Sequence, residues 1–458
     1  MTELVRGYRV STRRSSELGL LVAAWLIGVF AWILVDGATG LGSLGGWTAL
    51  VSAGLLMLGA HAAVRWQMPF ADPILFPAVA ALNMLGLAMI HRLDIAAEQR
   101  AVANGTASPT PDVYLQITWM TIGLVLFISV VFALQDHRKL QRLTWTSGVA
   151  GLLLLFLPLL PIIGTEVNGA RLWITLFGFT FQPGELAKVA LTIFFAGFLV
   201  LRRHSLSLVQ TKVLGFDVPR PKDLGPLVAM WLVALLVLVL ERDLGTSLLF
   251  FGMFIVLLYV ATARRSWVLL GAALLMISGF GAYHAFGHVH IRFATWLHPF
   301  DDATGTGFQI VQSLYGLANG GMFGTGWGQG YPQLVPFAKT DFITSALGEE
   351  LGLTGLVAIL LLYAIVIERG ARAAVATRDP FGNLLAIGLS AVLGLQTFIV
   401  IAGVTKLIPL TGLTTPFLSY GGSSLLANYL ILAILMRISN SARQPDSVKS
   451  ENMSTVLM

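Results

Sequence analysis

Long apolar runs recur along almost the whole chain, and they constrain its fold more than any other feature. Twelve of them approach the roughly 20 residues that a helix needs to cross a bilayer. They lie near 18–35, 46–64, 73–91, 113–135, 143–163, 185–201, 225–241, 245–262, 266–285, 342–367, 383–404 and 423–437. Only 11% of the 458 residues are charged, whereas a soluble domain carries about 25%. We therefore predict an all-α polytopic integral membrane protein with about 12 transmembrane helices.

Basic residues favour one orientation of these helices. Clusters such as Arg13-Arg14, Arg138-Lys139 and Arg264-Arg265 fall in alternate connectors, and connectors rich in Lys and Arg stay in the cytoplasm. We expect both termini to be cytoplasmic and residues 286–341 to form a long extracytoplasmic loop. The net charge of +6 then reflects membrane orientation and does not indicate nucleic-acid binding.

Two further observations narrow the class of protein. Cysteine is absent, which excludes disulfides, thiolate nucleophiles and cysteine-based metal sites. Residues 18–35 follow a basic leader, but no small-residue cleavage site follows them and more spans come after. We therefore predict a retained first helix and no cleaved signal peptide.

Eight basic residues do not fit the cytoplasmic connectors. They are Arg92, Arg100, Arg171, Lys188, Arg242, Arg292, Lys339 and Lys406. We place the first two in an ordinary exposed loop, 92–112. The other six fall in or beside segments that do not look like simple connectors. A charged residue at such a place costs insertion energy, so our first hypothesis for it is a functional role. The alternative for each is an ion pair that holds two helices together.

Two charged motifs sit at the expected outer ends of helices. Gln182-Pro183 precedes a span, and proline is favoured at the first position of a helix. Glu185 and Lys188 then share one helix face, either as a simple ion pair or as part of a site. Glu241-Arg242-Asp243 lies between two apolar runs and is either a solvated hairpin tip or the lining of a cavity.

The segment 286–341 is the longest polar connector. It contains Asp301-Asp302, then Gln309 and Ser313, and then a run dense in glycine and aromatic residues. It is neither a Walker loop nor a dinucleotide fingerprint, and a loop of this length is usually functional or disordered. The aromatic residues argue against disorder.

Polar residues flank this segment and precede the last span. Lys339-Thr340-Asp341 and Glu349-Glu350 follow the loop, and two adjacent glutamates inside an apolar helix are hard to explain by packing alone. Ser419 belongs to the stretch 409–424, rich in proline, glycine and serine. Small residues there could pack helices together, but irregular backbone at membrane depth needs protein or a polar cavity beside it.

These motifs together resemble the SEDS family (shape, elongation, division and sporulation), and its RodA branch in particular. The resemblance covers roughly residues 113–440. It rests on Gly-Ala-Arg-Leu-Trp-Ile with Gln-Pro-Gly-Glu-Leu-Ala-Lys, Asp-Leu-Gly-Thr, Gly-Thr-Gly-Phe-Gln-Ile-Val-Gln-Ser, Thr-Asp-Phe-Ile with Gly-Glu-Glu-Leu-Gly, and Pro-Phe-Leu-Ser-Tyr-Gly-Gly-Ser-Ser. One position departs, since the family usually has Gln-Pro where this chain has Glu241-Arg242.

The resemblance implies a peptidoglycan glycosyltransferase in the bacterial cytoplasmic membrane. Such proteins polymerise lipid II at the outer face, beside a class B penicillin-binding protein that crosslinks the strands. The family's catalytic aspartate precedes its Gly-x-Gly-aromatic motif by three residues, which corresponds to Asp302. The resemblance also implies a ten-helix core, so we interpret two N-terminal helices as an addition.

The implied chemistry assigns roles to the predicted site residues. Asp302 can act as the base that accepts a proton from the attacking sugar hydroxyl. Positive charge must stabilise the departing lipid pyrophosphate, and either the misplaced cations or a divalent ion such as Mg or Mn can supply it. The predicted substrate-binding residues are Arg171, Lys188, Asp243, Arg292, Gln309, Ser313, Lys339, Glu349, Lys406 and Ser419.

Two other functions remain open at this point. A lipid flippase would use the same cations to escort the pyrophosphate headgroup, but its charges should spread over both leaflets. A scaffold that recruits cell-wall enzymes would not require any single carboxylate. We divide the chain into a cytoplasmic segment 1–17, added helices and loop 18–112, a core 113–440 and a disordered cytoplasmic tail 441–458.

Overall fold

The computed structural model describes residues 12–40, 44–161, 163–167, 170–176, 178–202, 211–213, 216–218 and 221–445. The predicted terminal segments lie partly outside these residues, at 1–11 and 446–458, and so does Gly169 of the first motif.

Helices dominate the described chain. Their bounds are α1 Arg14–Thr39, α2 Leu44–Gln67, α3 Leu75–Ala103, α4 Asp112–Ala133, α5 Lys139–Arg142, α6 Thr144–Phe156, α7 Pro183–Leu201, α8 Pro221–Leu240, α9 Leu244–Thr262, α10 Ser266–Ala285, α11 Gly287–Leu297, α12 Phe308–Gly320, α13 Ile343–Ala376, α14 Pro380–Val404 and α15 Gly422–Arg443. Short 3₁₀ turns cover Leu157–Leu159 and Pro332–Leu334.

Most of these helices fit a membrane. Ten helices of the described residues are long and apolar enough to cross it, namely α1, α2, α3, α4, α7, α9, α10, α13, α14 and α15. Two shorter apolar helices, Thr144–Leu159 and Gly225–Leu240, coincide with two further predicted spans. The predicted helical membrane fold is confirmed, and the number of twelve spans stays a prediction.

The helix starts follow from local chemistry. The helix α7 begins at Pro183 as predicted, because proline has no N–H to leave unpaired in the first turn. The carboxylates of Asp243 and Asp379 cap α9 and α14 by accepting backbone N–H bonds of 2.8 Å from Thr246 and 2.7 Å from Gly382. Such caps satisfy N–H groups that the helix itself cannot.

The helix α3 lies at the centre of the bundle, and α10 lies at its edge. The apolar stretch of α3 is entirely buried, whereas only Trp267 and Gly271 of α10 are buried. The added helix α1 packs along α3, where Trp32 stacks on His91 with ring centroids 3.8 Å apart.

The prediction of an exposed loop at 92–112 was wrong for the first half of that range. Helix α3 continues to Ala103, and Arg92 is buried and bonded to Glu350 of α13 at 2.9 Å. Arg92 ends the apolar run in the sequence, so the helix was predicted to end there. Its pairing with the carboxylate of Glu350 allows the arginine to be buried within a longer helix.

A small antiparallel sheet connects α6 to α7. Its strands are β1 Gly164–Val167, β2 Ala170–Leu176 and β3 Phe179–Phe181, with Gly164 opposite Ile174 and Ile174 opposite Phe181. The sequence prediction placed a motif there but no strands. A second, two-stranded sheet pairs β4 Thr211–Val213 with β5 Phe216–Val218.

The long segment 286–341 is folded and contains α11, α12 and a 3₁₀ turn. We call the end of the bundle where it lies the loop-bearing end. Its glycine-rich part packs on a kink in α13 at Gly352, whose φ is 69°. A Cβ at Gly352 would lie 2.2 Å from the backbone nitrogen of Gly324, so both the backbone conformation and the close approach require glycine.

Candidate active site

Asp302 lies in the turn between α11 and α12, and its side chain is exposed. The backbone N–H and the hydroxyl of Thr306 donate hydrogen bonds of 2.7 and 3.0 Å to its Oδ2 atom. These bonds hold the pKa of Asp302 below its ordinary value. A Cβ at Gly307 would lie 2.1 Å from the carbonyl oxygen of Pro299, so the turn requires glycine there. The turn therefore presents an oriented, ionised carboxylate.

A cavity of about 350 Å³ lies beside this turn, and we call it the first cavity. It is lined by Ile291, Arg292, Thr295, Thr306, Gln309, Ile310, Phe337, Asp341, Leu410 and Gly412. Thr306 connects it to Asp302. The structure thus brings together three residues that the sequence predicted, namely Asp302, Arg292 and Gln309.

Arg292 is the cation of the first cavity. Its Nη1 atom donates to the carbonyl oxygens of Leu410 and Thr411 at 3.0 and 3.1 Å. Two backbone carbonyls hold the guanidinium without neutralising it. A cation fixed in this way can bind phosphate oxygens through its remaining donors.

Asp341 is a cavity residue that the predicted site omitted. It lines the first cavity with Arg292, and burial raises its pKa to about 6. The motif Thr-Asp-Phe-Ile was noted in the sequence, but nothing in a single sequence places that aspartate near Arg292. A carboxyl group with a pKa near neutrality inside a cavity is a recognised mark of a functional site.

Asp243 is buried, caps α9 and interacts electrostatically with Arg292, which lines the first cavity. Its neighbour Glu241 is also buried, and burial together with the charge of Asp243 raises the pKa of Glu241 to about 9. Glu241 is therefore protonated and uncharged at neutral pH. This explains how the chain accommodates a glutamate where the resemblance expects an uncharged glutamine.

Lys188 belongs to a buried polar cluster of α7, α14 and α15. Its Nζ atom lies 2.5 Å from Glu185, 2.8 Å from Gln396 and 3.2 Å from Asn428. All three of its donors are used inside the protein, and its side chain is 2% exposed. This geometry supports the helix-start ion pair, and substrate contact by Lys188 stays a prediction.

Lys188→Met is expected to destabilise the protein, because it leaves Glu185 buried without its partner. Breaking a buried pair from one side costs about 3–5 kcal/mol. The double variant Lys188→Met, Glu185→Gln should recover much of that loss. Thermal unfolding of the purified proteins in detergent checks this, and equal midpoints for wild type and Lys188→Met would contradict it.

Three predicted cations lie apart from the first cavity or at its edge. Arg171 is on strand β2, half exposed, and pairs with Glu166 at 3.2 Å. Lys406 is half-buried, with its Nζ atom 3.4 Å from the carbonyl of Leu297. Lys339 lies between two carboxylates, 2.5 Å from Asp94 and 2.7 Å from Asp112. Their roles in substrate binding stay predictions.

Glu349 and Glu350 hold the glycine-rich part of the segment 286–341. Glu349 accepts bonds from the Asn319 side chain at 3.0 Å and from the backbone N–H of Tyr331 at 2.9 Å. Glu350 accepts from Arg92 and, at 3.0 Å, from the backbone N–H of Gly328. Each glutamate therefore has a structural contact that the apolar helix pattern did not reveal.

The two predicted serines make buried contacts with the backbone. Ser313 donates to the carbonyl of Val404 at 3.3 Å, and Ser419 donates to the carbonyl of Thr340 at 2.6 Å. Ser419 thereby ties the stretch before α15 to the segment that carries Lys339 and Asp341. Substrate contact by either serine stays a prediction.

The carboxylates near the first cavity do not form a preassembled metal centre. Within the part of the chain that the structure describes, no group of three or more His, Asp or Glu side chains could hold a metal ion. Mg²⁺ commonly binds through one or two carboxylates together with substrate phosphates, so a requirement for Mg or Mn stays a prediction.

Comparison with known proteins assigns the chain to a family. Residues 73–444 match the family FTSW_RODA_SPOVE, described as cell cycle protein. The chain belongs to this family. The match begins just before α3, and the division into a core and added helices stays a prediction.

Members of the FtsW/RodA/SpoVE family resemble the chain to different degrees. "Peptidoglycan glycosyltransferase RodA" of Mycobacterium tuberculosis (strain ATCC 25618 / H37Rv) is 50% identical over 97% of this chain and 94% of the relative. "Probable peptidoglycan glycosyltransferase FtsW" of Geobacter sulfurreducens (strain DL-1 / KN400) is 40% identical over 66% of this chain and 79% of the relative. The predicted resemblance to the RodA branch is confirmed.

A solved structure supports the same fold. It is described as "Structural coordination of polymerization and crosslinking by a peptidoglycan synthase complex". The matching chain is 27% identical, with a TM-score of 0.63 over 82% of this chain and 99% of that chain.

Proposed function

We propose that this chain is a peptidoglycan glycosyltransferase that polymerises lipid II for cell elongation and shape. One observation carries the proposal: the first cavity holds the cation Arg292 beside the turn that presents the ionised Asp302. Membership of the FtsW/RodA/SpoVE family and 50% identity to a relative named peptidoglycan glycosyltransferase RodA support it.

The reaction needs a base and a stabilised leaving group. A sugar hydroxyl attacks the anomeric carbon of a second, lipid-linked sugar, and its proton passes to the carboxylate of Asp302. The bond between the anomeric carbon and the pyrophosphate oxygen breaks, and its electron pair leaves with the lipid pyrophosphate. Arg292 stabilises that negative charge, while Gln309 supplies an amide to the same cavity. The protonated Asp302 then returns its proton to water, to which it is exposed.

The proposal includes an outer-face location and a partner. Lipid-linked sugars are polymerised outside the cytoplasmic membrane, so the loop-bearing end should face outward and both termini inward. The related complex is described as coordinating polymerization with crosslinking. A class B penicillin-binding protein is therefore the proposed partner of this chain.

The orientation can be measured because the chain has no cysteine. Phe323, at the loop-bearing end, and Val375, near the other end of α13, are 82% and 80% exposed. In intact cells, Phe323→Cys should react with an impermeant thiol reagent, whereas Val375→Cys should react only after lysis. The reverse pattern would overturn the orientation. Because the two positions are almost equally exposed in the fold, a difference in labelling cannot come from burial within the protein.

Two rival functions make different predictions. A flippase would move labelled lipid II across vesicle membranes without forming polymer, and a scaffold would do neither. The candidate charges of the first cavity gather at one end of the bundle, which favours chemistry at a membrane face. Purified protein incubated with labelled lipid II should yield glycan polymer on a gel, and its absence in the presence of the partner would contradict the proposal.

A further inference from the structure

A second cavity adjoins the proposed active site. Its volume is about 370 Å³, and it shares the side chain of Phe337 with the first cavity. Other lining residues come from α3, α4 and the segments before α13 and α15; they include Ala97, Arg100, Asp112, Gln333, Lys339 and Tyr420. A volume of this size lies in the range of small-ligand sites, about 300–1,000 Å³.

The charges around the second cavity are balanced. Lys339 is bonded to Asp94 and Asp112, and the hydroxyl of Tyr420 is hydrogen-bonded to Asp112. With Arg100 included, the formal charges of these groups sum to zero. In the first cavity Arg292 is bonded to two backbone carbonyls, and Asp341 lines the same cavity. In the second cavity Lys339 is bonded directly to two carboxylates, so complementarity favours an uncharged, polar ligand there.

Aromatic and amide groups define what that uncharged ligand is. Phe337 is 52% exposed and adopts a φ of 55°, an uncommon conformation for a bulky residue. The Oε1 atom of Gln333 is buried and has no hydrogen-bond partner among the described residues. The protein therefore does not hold this oxygen, and the amide can turn to accept from a ligand hydroxyl or N–H. Aromatic surface with a few placed polar groups suits a pyranose ring, which has apolar faces and a polar edge.

We propose that the second cavity binds the sugar chain of the second substrate, which is the end of the growing glycan or its lipid-linked precursor. This inference rests on the proposed function, because a polymerase must hold two saccharides at once. The segment 335–342 separates the two sites. Phe337 belongs to both cavities, Lys339 to the second and Asp341 to the first. A sugar in the second cavity can thus direct its terminal hydroxyl past Phe337 toward Asp302.

The test compares two tryptophan substitutions on α3. Ala97→Trp fills the second cavity, whereas Val102→Trp adds the same side chain at a position that is 69% exposed and about 140° around the helix. Gln333→Ala removes a polar contact without crowding the site, which guards against misfolding of Ala97→Trp. The probe is the tetrasaccharide of β-1,4-linked N-acetylglucosamine, and its Kd is measured by ligand-observed NMR on the full chain carrying Asp302→Asn.

The Asp302→Asn chain and the same chain with Val102→Trp should bind the tetrasaccharide equally. Adding Ala97→Trp to that chain should weaken binding at least ~10-fold, and adding Gln333→Ala should weaken it in the same direction. Equal binding by all these chains, or none by the Asp302→Asn chain, would overturn the second site. Polymer made at the wild-type rate by Ala97→Trp with Asp302 intact would overturn it too and leave the polymerase standing. Binding of the sugar together with no polymer from the wild type would instead overturn the proposed function, and with it the role of the sugar as second substrate.

Discussion

Asp302→Asn is expected to lower the rate of lipid II polymerisation at least ~10²-fold, the loss typical of removing a general base. Asparagine keeps the size of the side chain and can still accept the bonds from Thr306, so the turn should persist. What it lacks is basicity. The measurement is the initial rate of polymer formation by the purified protein with its partner present.

Asp301→Asn is the matched control, since it removes the neighbouring carboxylate from the same turn. Asp301 is exposed, and its backbone N–H bonds to the carbonyl of His298. Its loss should reduce the rate far less. Near-normal polymer from Asp302→Asn would exclude it as the base, and equal losses from both variants would indicate a cation shared by the two carboxylates.

Much of this architecture could be predicted from the sequence, because membrane helices are determined by local composition. Twenty apolar residues in a row fold as a helix regardless of their neighbours, since each backbone group must find its partner within the segment. The helix start at Pro183 and the break before Asp243 were predicted for similarly local reasons. The motif by which the resemblance identified Asp302 was equally local.

Contacts between distant segments could not be predicted in this way. The pairing of Arg92 with Glu350 joins residues 258 positions apart, and no local pattern distinguishes it from an exposed charge. Asp341 was missed for the same reason, because its importance comes from Arg292, which lies far away in the sequence on α11. Lys188 was recognised as unusual, but its contacts with Gln396 and Asn428 depend on how α7, α14 and α15 pack.

Arg292→Ala is the second variant with a large expected effect. Arg292 is the cation that lines the first cavity within the described residues, and removing one preorganised donor from a developing negative charge costs about 10²–10³ in rate. We expect a loss of at least ~10²-fold in kcat/KM for lipid II. Arg292→Lys should lose less, because it keeps the charge but not the planar guanidinium that binds two oxygens at once.

A structural explanation must be separated from this electrostatic one, because Arg292 also ties α11 to Leu410 and Thr411. Inhibition by inorganic pyrophosphate provides the separate readout. Pyrophosphate should compete with lipid II in the wild type and lose its effect in Arg292→Ala, while the unfolding midpoint changes little. The control is Arg372→Ala, which removes an arginine that is 64% exposed and paired with Glu368, and it should behave as wild type. If pyrophosphate still inhibits Arg292→Ala and the unfolding midpoint is lowered, Arg292 has a structural role. Another cation would then stabilise the charge of the leaving group.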